Sequence, residues 1–152
     1  MQLSPDFTLH EMCRSQIAMR HGFDNQPPPA ALQALERLCE AILEPVRKQF
    51  SRPITPSSGY RCRALNRVLG SHDASQHVKG EAVDFDIAGC PKSEIAAWIA
   101  GHLVFDQLIV EYPQAENVSA GWLHVSYRLG RNRREILTKT NNGVIRGFPL
   151  FW

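Results

Sequence analysis

The chain has 152 residues, 43% of them hydrophobic and 21% charged, with a formal net charge of +2. That size and composition can bury a core without disulfide staples and predict one globular domain over residues 1–152. The near-neutral balance gives no global electrostatic case for nucleic-acid binding, and no segment is long and apolar enough to insert into a membrane.

Residues 1–6 lack the basic-then-apolar pattern of a secretory leader, so the chain is expected to be made in the cytoplasm without a signal peptide. Thr8 with Glu11 three residues on is a capping-box pattern. It predicts a helix to about residue 21 carrying Leu9, Met12, Ile17 and Ala18. Gly22 and Pro27-Pro28-Pro29 end it. A second helix over residues 29–50 sets Leu32, Leu35, Leu38, Cys39, Ile42, Leu43 and Val46 on one core-facing stripe, with Pro45 as the point of a kink or early end. Residues 53–56 form a short extended piece leading into Ser57-Ser58-Gly59-Tyr60-Arg61, and residues 62–69 a brief helix.

From residue 82 to 87 the side chains alternate, with Val83, Phe85 and Ile87 on one face and Asp84 and Asp86 on the other. Pro91 opens a third long helix whose buried side is Ile95, Trp98, Ile99 and Leu103. Strands follow over residues 107–112, 122–127 and 134–138, and Asn141-Asn142-Gly143 turns into Val144-Ile145-Arg146. Early helices and late strands predict an α+β fold with a mainly antiparallel central sheet and helices packed on it. Cys13, Cys39, Cys62 and Cys90 have no paired spacing and read as free thiols. Arg128, Arg131, Arg133 and Arg134 read as a solvated loop beside a strand, or else as a weak grip on an anionic polymer. Phe148, Phe151 and Trp152 are expected to dock on the body.

The stretch Ser75-Gln76-His77-Val78-Lys79-Gly80-Glu81-Ala82-Val83-Asp84 places a histidine and a carboxylate in ligand register among small residues. A third ligand is available in Gly121-Trp122-Leu123-His124, on the same strand face as Trp122 and Ser126. Two imidazoles, one carboxylate and an open position describe a catalytic zinc site, although other divalent transition metals suit the same donors. His10, His21, His72 and His102 lack such a frame.

Ser-x-His-x-x-Gly-x-Ala-x-Asp at 75–84, preceded by Ser58-Gly59-Tyr60-Arg61 and followed by Trp122-x-His124, resembles the zinc D-alanyl-D-alanine carboxypeptidase family. That family includes the vancomycin-resistance dipeptidases and phage cell-wall endopeptidases, and shares its fold with the hedgehog signalling domain and lysostaphin-type peptidases. The resemblance covers about residues 7–127. It implies zinc held by His77, Asp84 and His124, and Arg61 as a substrate-binding residue. It further implies a metal-activated water that attacks a peptide bond of a peptidoglycan stem peptide, in a monomer acting on the cell wall after release or phage delivery. Ser75 is expected to hydrogen-bond near metal or substrate, or only to cap a turn.

Familiar members place an acidic general base three residues before the last histidine ligand, and here that position is Gly121. Glu111 is the first replacement candidate, because alternation gives it one face with Gln107, opposite Leu108, Val110 and Tyr112. Asp86, two residues past a ligand, is the second. The missing acid also motivates an alternative, a non-catalytic zinc-stabilised cell-wall-binding or phage structural module on the same fold.

Overall fold

Strand pairing begins earlier than hydrophobic alternation foretells. In the computed structural model, which describes residues 1–152, β1 (Gln2–Ser4) and β2 (Phe7–Thr8) form a small antiparallel hairpin. Strands this short leave no alternation to read. The predicted first helix is two, α1 (Leu9–Cys13) and α2 (Gln16–His21). The capping box at Thr8 forms as expected, with Glu11 Oε2 accepting the Thr8 N–H at 2.9 Å. The break comes at Ser15, whose Oγ accepts the Ala18 N–H at 3.1 Å and starts a second helix. A serine that can cap competes with helix continuation.

The long apolar stripe runs through α3 (Pro29–Leu38), a π-helical turn (Cys39–Leu43) and α4 (Glu44–Phe50) without ending. Pro45 has no N–H for the preceding turn, and the Glu44 N–H reaches back to the Cys39 carbonyl. The proline is thus absorbed by one widened turn rather than a stop. Leu35, Leu38, Cys39, Ile42, Leu43 and Val46 are all buried.

The central sheet contains β3 (Thr55–Ser58), β4 (Ala82–Asp86), β5 (Gln107–Glu111), β6 (Trp122–Ser126), β7 (Glu135–Thr140) and β8 (Gly143–Arg146). Its order is β3-β4-β6-β5-β7-β8, antiparallel throughout except for the parallel β5–β7 pair. Between strands lie α5 (Arg63–Val68) and α6 (Lys92–His102). Val83 and Phe85 of β4, Leu108 and Val110 of β5, and Leu123 and Val125 of β6 join one core with Leu35, Ile42, Ile95 and Ile99 from the helices. The helices therefore cover that face, and the alternate residues of the same strands face the other way.

β5 ends at Glu111 because Tyr112 takes a left-handed φ of 52°. All four cysteines are free. Of the C-terminal aromatics only Phe148 packs against the core; Trp152 lies 5.7 Å from its ring, and Phe151 and Trp152 remain exposed. No helix is long and apolar enough to cross a membrane.

Candidate metal centre

The antiparallel register of β4 and β6 sets Asp84 directly opposite His124, so the two side chains emerge on the same face. Asp84 Oδ1 lies 2.8 Å from His124 Nδ1 and 3.4 Å from His77 Nε2. His77 arrives from the loop after α5, where the Arg61 N–H donates to its carbonyl at 3.2 Å. The ligand atoms of His77, Asp84 and His124 all fall within 4.8 Å of one another, and all three residues are buried. Gly80 lets this loop lie against α3. With φ at 72°, its Cα approaches α3, and a Cβ there would stand 2.3 Å from the Ala31 carbonyl oxygen.

A carbonyl can only accept, so the 2.8 Å contact between His77 Nδ1 and the Gly59 oxygen puts the ring proton on Nδ1. Nε2 is left as a lone pair facing Asp84. Burial lowers the His77 pKa, outweighing the opposing pull of Asp84. Burial by itself would raise Asp84, but the attraction and hydrogen bonds of His77 and His124 prevail and hold it well below the usual carboxylate range. A neutral imidazole and an ionised carboxylate are the forms that bind a divalent cation.

Arg61 stands inside this arrangement. Its Nη2 donates to Asp84 Oδ2 at 2.8 Å and its Nε to Ser58 Oγ at 2.7 Å. One carboxylate oxygen is thereby occupied and the other is left to the histidine side. Arg61 lines the cavity as expected of a substrate residue, yet two edges of its guanidinium are already committed to the protein. Ser75 Oγ accepts the His77 N–H at 3.3 Å, the contact of a turn cap, and Ser75 also lines the cavity.

The candidate bases separate clearly. Glu111 points into the cavity, with Oε1 4.0 Å from His124 Nδ1 and Oε2 3.8 Å from Lys139 Nζ. Burial raises its pKa, the Asp84 charge adds to this, and His124, Lys139 and Arg61 partly offset it. Asp86 is not brought to the site. α6 starts beside the end of β4, and Lys92 Nζ takes Asp86 at 2.9 Å, outside the cavity lining. Gly121 has no room for any side chain: its φ is 75°, and a Cβ would lie 2.1 Å from the Glu111 carbonyl oxygen.

The cavity above these residues measures about 1050 Å³. Three of its residues were not among the site residues expected from sequence: Lys139, Arg128 and Arg133. Lys139 comes opposite Glu111 through the parallel β5–β7 register, a pairing between distant segments that local pattern cannot announce. Arg128 and Arg133 belong to the arginine cluster read as a solvated loop or a weak grip on an anionic polymer, and both line the cavity around buried Asp106.

A buried His–Asp–His set at the base of an open cavity, with a carboxylate beside it, is the donor arrangement of a metal-dependent hydrolase. The family model described as Peptidase M15 matches residues 5–125, and the chain belongs to that family of zinc D-alanyl-D-alanine carboxypeptidase-like enzymes. The matched span contains His77, Asp84, Glu111 and His124. No curated protein matches the chain.

Proposed function

We propose that the protein is a zinc peptidase that hydrolyses peptide bonds in the stem peptides of bacterial peptidoglycan. The observation that carries this reading is the buried His77–Asp84–His124 set beside Glu111 in a chain of the M15 family. The donors fit zinc: two imidazole nitrogens and one carboxylate oxygen converge, and Arg61 and Gly59 orient them from behind. A zinc ion held there supplies Lewis acidity toward a water and a peptide carbonyl.

The chain's own residues account for proton movement and orientation. Glu111 accepts a proton from the attacking water as the new C–O bond forms, and returns it to the amine nitrogen as the C–N bond breaks. Glu111 lines the cavity with its carboxylate 3.8 Å from the Lys139 ammonium and 4.0 Å from His124, so no close donor ties it up and it is free to take and return the proton. Arg61 holds Asp84 Oδ2, leaving Oδ1 toward His77 and His124. The aromatic pair Tyr112 and Trp122, 5.4 Å apart, forms one wall for the bound peptide. In this reading the protein acts as a monomer on the cell wall, after release or phage delivery.

The test is mass spectrometry of peptidoglycan incubated with zinc-loaded protein, beside a folded His124→Ala control. New termini that require His124 and zinc support the reading, and their masses separate carboxypeptidase from endopeptidase action. Unchanged peptidoglycan would favour the non-catalytic module. The position of Glu111 favours the enzyme, because it supplies the carboxylate that Gly121 lacks.

A further inference from the structure

Arg128 follows β6, four residues beyond His124, with its backbone clamped in both directions by Asn132. Its N–H donates to Asn132 Oδ1 at 2.9 Å, and its carbonyl accepts from Asn132 Nδ2 at 2.8 Å. The side chain lies over Asp106, with Nη2 3.2 Å from Oδ1, and Nη2 also donates to the Arg131 carbonyl at 3.2 Å. Asp106 is fully buried and already matched. Arg133 grips it with Nε on Oδ1 at 3.0 Å and Nη2 on Oδ2 at 2.7 Å, and adds its backbone N–H. Gln76, the neighbour of His77, donates to Oδ2 at 3.1 Å.

Two other acids lie nearby, Glu135 beside Arg133 and Glu81 in the cavity lining. Glu135 stands 3.7 Å from Arg133 Nη1 and accepts from Gln107 at 3.2 Å, while Glu81 meets Gln76 at 3.5 Å. Two guanidinium groups therefore share one buried carboxylate: Arg133 takes both of its oxygens and also stands near Glu135, while Arg128 meets it through Nη2 alone. Its Nε is shielded from solvent and has no hydrogen-bond partner. The side chain nevertheless lines the metal cavity and is 38% exposed, so a ligand can reach it. A guanidinium fixed at its base through Nη2, with Nη1 making no contact to a protein acceptor, is suited to a carboxylate.

We propose that Arg128, braced on Asp106, is the anion-binding residue of a substrate subsite at the Gln107 end of the cavity, where it takes a carboxylate of the peptide. The proposal rests on the peptidase reading above. Ile109 pairs with His124, so Gln107 lies about 7 Å along the strand from the ligand set, the length of roughly two peptide residues. The carboxylate it selects is therefore carried about two residues from the scissile bond. The opposite end, with Tyr112, Trp122 and Lys139, receives the other side of the peptide.

The experiment compares stem peptides with free side carboxylates against the same peptides amidated. Zinc-loaded protein is assayed for kcat and KM, and binding of both peptides to zinc-loaded Glu111→Gln is followed by tryptophan fluorescence. The free acid should be preferred about tenfold, through KM and through binding, the low end for a charge-assisted hydrogen bond. Arg128→Gln should bring that ratio close to one, and Arg128→Lys should keep part of it, with folding of each checked by circular dichroism. Equal handling of both peptides by the wild type, or an unchanged preference in Arg128→Gln, would overturn the subsite. If neither peptide is cut, the peptidase reading fails, and the binding ratio still decides the role of Arg128.

Discussion

Glu111 and Arg61 both lie within hydrogen-bonding range of the ligand set or just beyond it, but their contacts assign them different work. Glu111 is not held by any strong donor, its nearest cation being Lys139 at 3.8 Å, so its carboxylate stays available for proton transfer. Glu111→Gln should keep zinc content and fold while lowering kcat by about 10²–10⁴, measured by hydrolysis with metal analysis of the same sample. Retained turnover would remove Glu111 from the chemistry. Arg61 holds Asp84 Oδ2, so its removal frees the ligand to rotate. Arg61→Ala should weaken zinc binding by about 10–100-fold in chelator competition. Unchanged affinity with a raised KM would return Arg61 to the substrate role that its motif implies.

Among the elements, the segments joining α6 to β5 and β6 to β7 are bound together by Asp106 and the arginines. Arg134 belongs to the same cluster but has separate work: its two terminal nitrogens each sit 2.7 Å from carbonyls at the end of α6, those of Leu103 and Ala100. Asp106 is the pivot for Arg128, Arg133 and Gln76. Burial would raise its pKa, but the hydrogen bonds and charge of Arg133 prevail and lower it. A carboxylate depressed in the folded state stabilises fully above its unfolded pKa of about 3.9, and loses that contribution as pH falls through the folded value. Asp106→Asn should therefore cost about 2–3 kcal/mol at pH 7. In denaturant titrations the difference from wild type should shrink as pH drops below about 4. A gap independent of pH would mean that packing, not charge, anchors these segments.

At the scale of the whole molecule, the ligand set joins two central strands to the 71–80 loop, and that loop rests on α3 through Gly80. A cation bound there selects the folded state over the unfolded chain. Zinc at about a hundred times its Kd should stabilise the protein by roughly 3 kcal/mol, raising Tm by about 6–12 °C. His124→Ala should abolish the zinc-dependent part of that rise. An equal rise in the variant would show that zinc acts elsewhere on the surface.

The sequence by itself determined the α+β plan, the capping of α1, the strand faces of β4 to β6 and the grouping of His77, Asp84 and His124 as candidate metal donors. Each is written in local pattern: alternation of period two fixes the face on which Asp84 and His124 emerge, and a capping box needs only Thr8 and Glu11. Only the tertiary structure separated Glu111 from Asp86 in space, since both satisfy alternation: Glu111 lines the cavity, while Lys92, delivered by α6, takes Asp86. It also decided that Arg61 faces Asp84, that Lys139 stands beside Glu111 through a parallel pairing, and that Arg128 shares a buried carboxylate. These are contacts between segments distant along the chain, made when the strands assemble in the order β3-β4-β6-β5-β7-β8. No local periodicity encodes that order, and so the candidate donors were legible while their neighbours were not.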